Sequence, residues 1–290
     1  MDIRGRSLKL AFGAAGLLPL KAGYVLAGWS GTVISLWPSR QRDTVTANIK
    51  HVLGPQQSEK QIKAVTRRVF RNVMKNYFDL MKMPRLNSRN LNKLIEWQGW
   101  QYLEKSIAAG KGTIIATAHL GNFEVAAKAL AVRGIEMTIL VEPTGTKAFM
   151  KNVNALRQRN GCKLLPVTAG AMREALHLLQ KGGTLVIVCE RDIQGNGIET
   201  GFFGEKTTVP SGVISLALRT GAAVLPAFSV RRPDNRFTIH FEPPLQITDT
   251  GDREQDIPVN LEKLVGVIEQ FIRKYPEQWV VMEPIWRESD

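Results

Sequence analysis

From residue 113 onward the chain alternates short apolar runs with stretches of helical periodicity, and this alternation most narrows the folds open to it. Thr113-Ile114-Ile115-Ala116-Thr117-Ala118 carries no charge and no polar-apolar alternation, so it predicts a strand buried on both faces. Met137–Val141, Lys163–Val167, Thr184–Cys189 and Ala223–Val230 read as further strands. Between them, residues 123–132, 148–159, 171–180 and 211–218 read as helices, the last two stopped by Gly182-Gly183 and Gly221. Phe237–Phe241 reads as a late edge strand, parallel or antiparallel, and 260–274 as a C-terminal helix ended by Tyr275-Pro276. Buried strands separated by helices predict an α/β fold with a mainly parallel central sheet flanked by helices.

The first third has a different texture. Residues 8–37 read as helical and apolar, interrupted only by Lys9 and Lys21. Ala22–Ser39 carries no charge, but Gly23, Gly28, Ser30, Gly31, Thr32 and Ser35 make it a marginal spanning segment. Trp29 and Trp37 suit a headgroup boundary, so an interfacial helix is the favoured reading. A spanning helix and a helix buried in the domain stay open. Basic residues before an apolar run also fit a signal peptide, though no clean small-x-small cleavage site follows. Residues 40–54 are polar and end in the turn signal Gly54-Pro55. Ser58 then precedes an amphipathic stretch, Glu59–Met83, stopped by Pro84. The chain thus divides into an N-terminal helical membrane-associating segment, 1–54, and an α/β domain, 55–290.

A formal charge of +13 asks for an anionic partner: acidic lipid headgroups, a phosphorylated substrate or nucleic acid. The cations are spread along the chain, without an RNP-like aromatic motif or zinc-finger spacing, so nucleic acid is not expected. Cys162 and Cys189 form neither a zinc spacing nor a disulfide framework, and no metal is expected.

In such sheets, sites open at the carboxyl ends of the strands. His119 lies there, in His119-Leu120-Gly121-Asn122-Phe123-Glu124. Gly121 permits a tight turn, Asn122 is a good N-cap, and Glu124 falls in the first turn of the next helix, from which it can fold back toward the imidazole. A neutral histidine can take a proton from an attacking alcohol, and a carboxylate beside it stabilises the imidazolium that forms. Taken alone, His-x4-Glu is equally an ordinary strand end and a helix-dipole carboxylate. Glu190-Arg191-Asp192 ends the 184–189 strand at the same rim, and is either a solvated loop or, through Glu190, a competitor of Glu124 as partner. Farther on, Phe202-Phe203-Gly204 and Thr207-Thr208 form either a phosphate- or sugar-holding loop or a packed one. A Gly-x-Ser-x-Gly elbow, His-Glu-x-x-His, Cys-x-x-Cys and a Walker A loop are all missing from the sequence.

Together, His119–Glu124, Phe202-Phe203-Gly204 with Thr207-Thr208, Thr220–Pro226 and Pro276-Glu277-Gln278-Trp279 resemble the lipid A late acyltransferases. Through Glu190-Arg191-Asp192 the chain resembles still more the bacterial phosphatidylinositol mannoside acyltransferases. The resemblance runs from about residue 20 to Trp286 with the motifs in family order. It implies an acyl-CoA or acyl-carrier-protein donor, no further cofactor, and a glycolipid or lysophospholipid acceptor. It also implies attachment to anionic lipids at the cytoplasmic face of the inner membrane. Carried over, His119 is the general base, with Glu124 and Glu190 as the carboxylates around it. Asn122, Arg191, Phe202, Phe203, Gly204 and Thr208 line the substrate site, and Arg157 and Arg159 match a region where the family has a basic residue, either meeting donor phosphates or simply solvated. A non-catalytic acyl-chain binding protein on the same fold is the alternative. The chain departs from the family in its glycine-interrupted N-terminal segment. Val141–Thr146 also lacks the Arg-Pro that many relatives carry, which bears on the acceptor more than on acyl transfer.

Overall fold

Strands buried on both faces need helices on both sides, and the computed structural model has that arrangement. It describes residues 16–142, 147–159, 161–168 and 170–286. The chain opens with three helices, α1 (Leu20–Leu36), α2 (Arg40–Leu53) and α3 (Glu59–Lys82), then the short α4 (Ser88–Asn92), β1 (Ile95–Gln98) and α5 (Trp100–Ala108). The alternating region follows as β2 (Thr113–Thr117), α6 (Phe123–Val132), β3 (Thr138–Val141), α7 (Lys147–Arg159), β4 (Lys163–Pro166), α8 (Ala171–Gln180) and β5 (Thr184–Val188). A hairpin, β6 (Ile198–Phe202) and β7 (Glu205–Val209), precedes α9 (Gly212–Thr220), β8 (Ala223–Arg231), β9 (Phe237–Phe241) and α10 (Arg253–Lys274).

The central sheet runs β1-β9-β8-β2-β5-β3-β4. Every neighbouring pair is parallel except β8–β9. Successive residues serve opposite faces: Ile114 and Ala116 of β2 join one core layer with α9 and α10, and Ile115 joins the other with α5 and α6. After β2 the chain goes out to β3 and β4, returns to β5 beside β2, and then crosses to β8 on the other side of β2. The strand order therefore reverses at β2, which makes its carboxyl end the switch point where sites form in such sheets.

Four local expectations change. β9 is antiparallel to β8 but not at the edge, because β1 covers it, from Ile95 opposite Phe237 to Gln98 opposite His240. β1 is short and alternately exposed, as an edge strand is. Residues 40–53, which the sequence shows only as polar, are helix: Val45, Asn48, Ile49 and Val52 form one narrow buried face, and Ser39 caps Arg42 N–H. The C-terminal helix starts at Arg253, where Asp252 accepts from the N–H groups of Glu254 and Gln255, with Pro258 inside it. Of the expected helix over 8–37, residues 8–15 lie outside the described residues, and residues 16–18 form a turn before Pro19 and α1.

The glycines of α1 have a packing reason. A Cβ on Gly31 would lie 2.5 Å from the Phe70 carbonyl oxygen, and one on Gly23 would lie 2.0 Å from the Phe78 ring. They let α1 close on α3, which is anchored by a Ser58–Gln61 capping box. The outward side of α1 leaves Val25, Leu26, Trp29, Val33, Leu36 and Trp37 exposed. Among the described residues no helix is long and apolar enough to cross a membrane.

Candidate active site

Thr117 of β2 lies in register with Val188 of β5. Two residues farther along these parallel strands come His119 and Glu190, so the register itself brings them together. The imidazole Nδ1 is 2.8 Å from Glu190 Oε1, and the same oxygen accepts the backbone N–H of His119 at 2.8 Å. A carboxylate only accepts, so Nδ1 carries the proton and Nε2 is left as the basic nitrogen. The Glu190 side chain is 1% exposed and the imidazole 25% exposed. Burial alone would push the Glu190 carboxyl up; the imidazole's charge, its two hydrogen bonds and the Arg191 charge outweigh this and hold it below the usual range. The Phe123 ring meets the imidazole edge-on, with centroids 5.8 Å apart.

The turn after His119 is tied from both sides. Gly121 has φ 66°, and a Cβ there would lie 1.8 Å from the Ser229 carbonyl oxygen, so the position excludes other residues. Asn122 N–H donates to that carbonyl at 2.8 Å. On the other side Gly121 N–H donates to the Gln278 carbonyl and Val280 N–H to the His119 carbonyl, both at 2.8 Å. Pro276-Glu277-Gln278-Trp279 thus acts as a brace on the His119 turn, with Trp279 buried beneath it.

Of the two carboxylates the sequence leaves open, Glu190 is the one bonded to the ring. Glu124 turns to Arg157, whose Nε donates to Oε1 at 2.7 Å, with Nη2 2.6 Å from the same oxygen. Their side chains are nearly buried, and the guanidinium also lies 5.8 Å from the Phe123 ring centroid. Arg157 is thereby held beside the His119 turn, whereas Arg159 is exposed at the end of α7. Asn122 caps α6, its Oδ1 accepting from Glu124 N–H at 3.1 Å, while its amide donates to Asp79 at 2.7 Å. Arg191 pairs with Glu283 at 3.2 Å. Asp192 closes its own loop by accepting from Gly195 and Gly197 N–H groups and from the Thr208 hydroxyl, which places Thr208 as a brace of that loop.

Phe202 and Phe203 are packed in the core against Trp279 and Trp286. Phe203 (φ 55°) and Gly204 (φ 82°) form the two-residue turn of the β6–β7 hairpin. The packed-loop reading describes Phe202 and Phe203, while Gly204 is exposed at the hairpin tip.

Two features escape sequence reasoning. Glu142, at the carboxyl end of β3, is half-buried and close enough to feel the charges of Arg191, His119, Glu190 and Asp192. Burial pushes its carboxyl up, partly offset by the charges of Arg191 and His119. Its strand-end position was the available signal. The second is a buried polar group under the turn, formed by Tyr24, Asn76, Asp79 and Arg231. These lie far from His119 in sequence and carry no motif. Among the described residues no three or more His, Cys, Asp or Glu gather as metal ligands.

The family model described as bacterial lipid A biosynthesis acyltransferase matches residues 7–288. The phosphatidylinositol mannoside acyltransferase of Mycobacterium tuberculosis (strain ATCC 25618 / H37Rv) is 28% identical over 216 residues, covering 72% of this chain and 66% of that protein. The protein of the same name from Mycolicibacterium smegmatis is 26% identical, with 72% and 67% covered. The lipid A biosynthesis acyltransferase of Haemophilus influenzae is 24% identical over 266 residues, 91% of this chain and 81% of that one. The chain spans 66% of the length of the M. tuberculosis relatives it matches.

Proposed function

Because the chain belongs to the bacterial lipid A biosynthesis acyltransferase family, we propose that it is an O-acyltransferase, moving a fatty acyl chain from a thioester to a lipid hydroxyl. The donor is acyl-CoA or acyl-carrier protein, and the acceptor is a glycolipid or lysophospholipid. The observation that carries this reading is the His119–Glu190 pair at the sheet's switch point. The acceptor hydroxyl gives its proton to His119 Nε2 as its oxygen attacks the thioester carbonyl. The tetrahedral intermediate then collapses, the carbon–sulfur bond breaks, and the leaving thiolate takes the proton back from the imidazolium. Glu190 stays a carboxylate throughout, fixing the tautomer and offsetting the transient positive charge. The nucleophile belongs to the acceptor, so no enzyme-bound acyl ester forms. Arg157, steadied by Glu124, supplies positive charge for donor phosphates.

We propose the cytoplasmic face of the inner membrane as the place of the reaction, as the family resemblance implies. The uncovered apolar side of α1, with Trp29 67% and Trp37 75% exposed, supports lying in a headgroup layer. Lys60, Lys63, Arg67 and Arg71, exposed along the neighbouring α3, supply charge for anionic lipids. The test is thioester consumption by the purified protein with and without lipid acceptor, with mass spectrometry of the lipid. Loss of thioester coupled to a heavier acceptor is expected. Bound lipid without thioester loss, for every acceptor tried, would favour the non-catalytic acyl-chain binding alternative.

A further inference from the structure

Asp79 of α3 is fully buried, and both of its oxygens are occupied by different parts of the chain. Oδ1 accepts the Tyr24 hydroxyl of α1 at 2.7 Å. Oδ2 accepts the Asn122 amide at 2.7 Å and pairs with the Arg231 guanidinium of β8. One helical turn earlier on α3, Asn76 accepts from Arg231 Nη2 at 2.9 Å and donates to the Gly121 carbonyl at 2.5 Å. Arg231 is also close to the Tyr24 and Phe237 rings, 5.2 and 4.6 Å from their centroids.

A buried ion pair is a poor way to gain stability, because the desolvation of both ions offsets their attraction. Its geometry does something more specific here. Gly121 and Asn122 lie two and three residues after His119 in the same turn, and Asn76 holds the first by its carbonyl while Asp79 holds the second by its side chain. Ser229 O, which holds the turn from β8, lies two residues from Arg231 on the same strand. The turn is therefore gripped from α3 and β8, and α3 and β8 are gripped by each other.

We propose that Asp79 is a positioning residue for the acyl transfer: it fixes the turn behind His119, and through Tyr24 it makes that turn depend on α1. The proposal rests on the acyltransferase reading above. Asp79 accepts three donors, from Tyr24, Asn122 and Arg231. An asparagine has one acceptor oxygen and turns an NH2 group toward the donors on its other side. The turn then loses a fixed partner, and the imidazole moves relative to Glu190.

The experiment compares wild type, Asp79→Asn and Tyr24→Phe in full-length protein. It measures kcat and donor KM per folded molecule, together with the histidine Cε1–H NMR resonances, that of His119 assigned with His119→Ala. For Asp79→Asn, kcat falls about ten- to a hundredfold with donor KM within about twofold, as a misplaced catalytic group predicts. The His119 resonance moves, and those of His177 and His240 do not. Tyr24→Phe gives the same pattern with a loss of about two- to fivefold. A folded Asp79→Asn protein with wild-type kcat and an unmoved His119 resonance overturns the proposal. If Asp79→Asn does not fold, Tyr24→Phe decides, and wild-type kcat with an unmoved resonance overturns it equally. Failure of the wild type to turn over any thioester would count against the acyltransferase reading, and the resonance comparison would still decide the positioning role.

Discussion

Replacing Glu190 by glutamine isolates the charge on the carboxylate from its shape. Glutamine is isosteric, and its Oε1 can still accept both the imidazole Nδ1–H and the His119 backbone N–H now held at 2.8 Å. What disappears is the negative charge facing the imidazolium. With charge centres about 4 Å apart and an effective dielectric near 20, that attraction is about 4 kcal/mol. Proton transfer is only partly advanced in the transition state, so about 2–4 kcal/mol is lost, or roughly 30- to 1000-fold in kcat. Stability should change little, because the substitution also removes the cost of burying a charge at a site 1% exposed. The assay is initial rate against donor concentration at saturating acceptor, beside a thermal melt. A kcat lower by roughly 30- to 1000-fold, an unchanged donor KM and a Tm within a few degrees of wild type are expected. Glu190→Gln with kcat within about twofold of wild type would refute the reasoning, since the carboxylate charge would then do nothing for the imidazolium.

Glu124→Gln should act differently: weakening a nearly buried pair with Arg157 costs about 1.5–3 kcal/mol, seen as a lower Tm, and raises donor KM more than it lowers kcat. An unchanged Tm would contradict the role of that pair. Gly121→Ala combines a left-handed φ with a Cβ 1.8 Å from a carbonyl oxygen, so it should cost at least about 2 kcal/mol and remove most activity. Wild-type activity in that variant would show that the turn does not hold His119 in place. For Glu142, burial raises the folded-state pKa, so its stabilising contribution is complete below the unfolded carboxylate pKa and is lost as pH rises through the folded value. Glu142→Gln should therefore raise Tm at pH 8 and leave it unchanged at pH 4; an equal shift at both would contradict the assignment.

The sheet was legible because the strands of an α/β fold are buried on both faces and read as unbroken apolar runs. One margin of the sheet and the N-terminal helices were harder to read. β1 exposes every second residue, and β9 looked like an edge only because β1 was missing from outside it. α2 buries a face of four residues and averages as polar over the rest. The glycines of α1 weighed against a spanning helix in the sequence, whereas in the fold Gly23 and Gly31 serve a close contact with α3. At the site, two strand ends of adjacent parallel strands pointed to His119 and Glu190, but the pairing needs the β2–β5 register, which spacing along the chain does not encode. Glu124 looked nearer to the imidazole because it is nearer in sequence, yet the helix it opens carries it to Arg157. Phe202 and Phe203 are dictated by packing under Trp279, and a motif written in apolar residues does not separate the two roles. Asp79 and Arg231 join segments from opposite ends of the chain, so only the folded structure brings them together.

The most direct test of the account is the formation of an ester-linked acyl lipid from labelled acyl thioester and a lipid hydroxyl, comparing wild type with His119→Ala at equal folded concentration. The account predicts labelled ester from wild type and none above the uncatalysed rate from His119→Ala. Product formed by His119→Ala at the wild-type rate would contradict it.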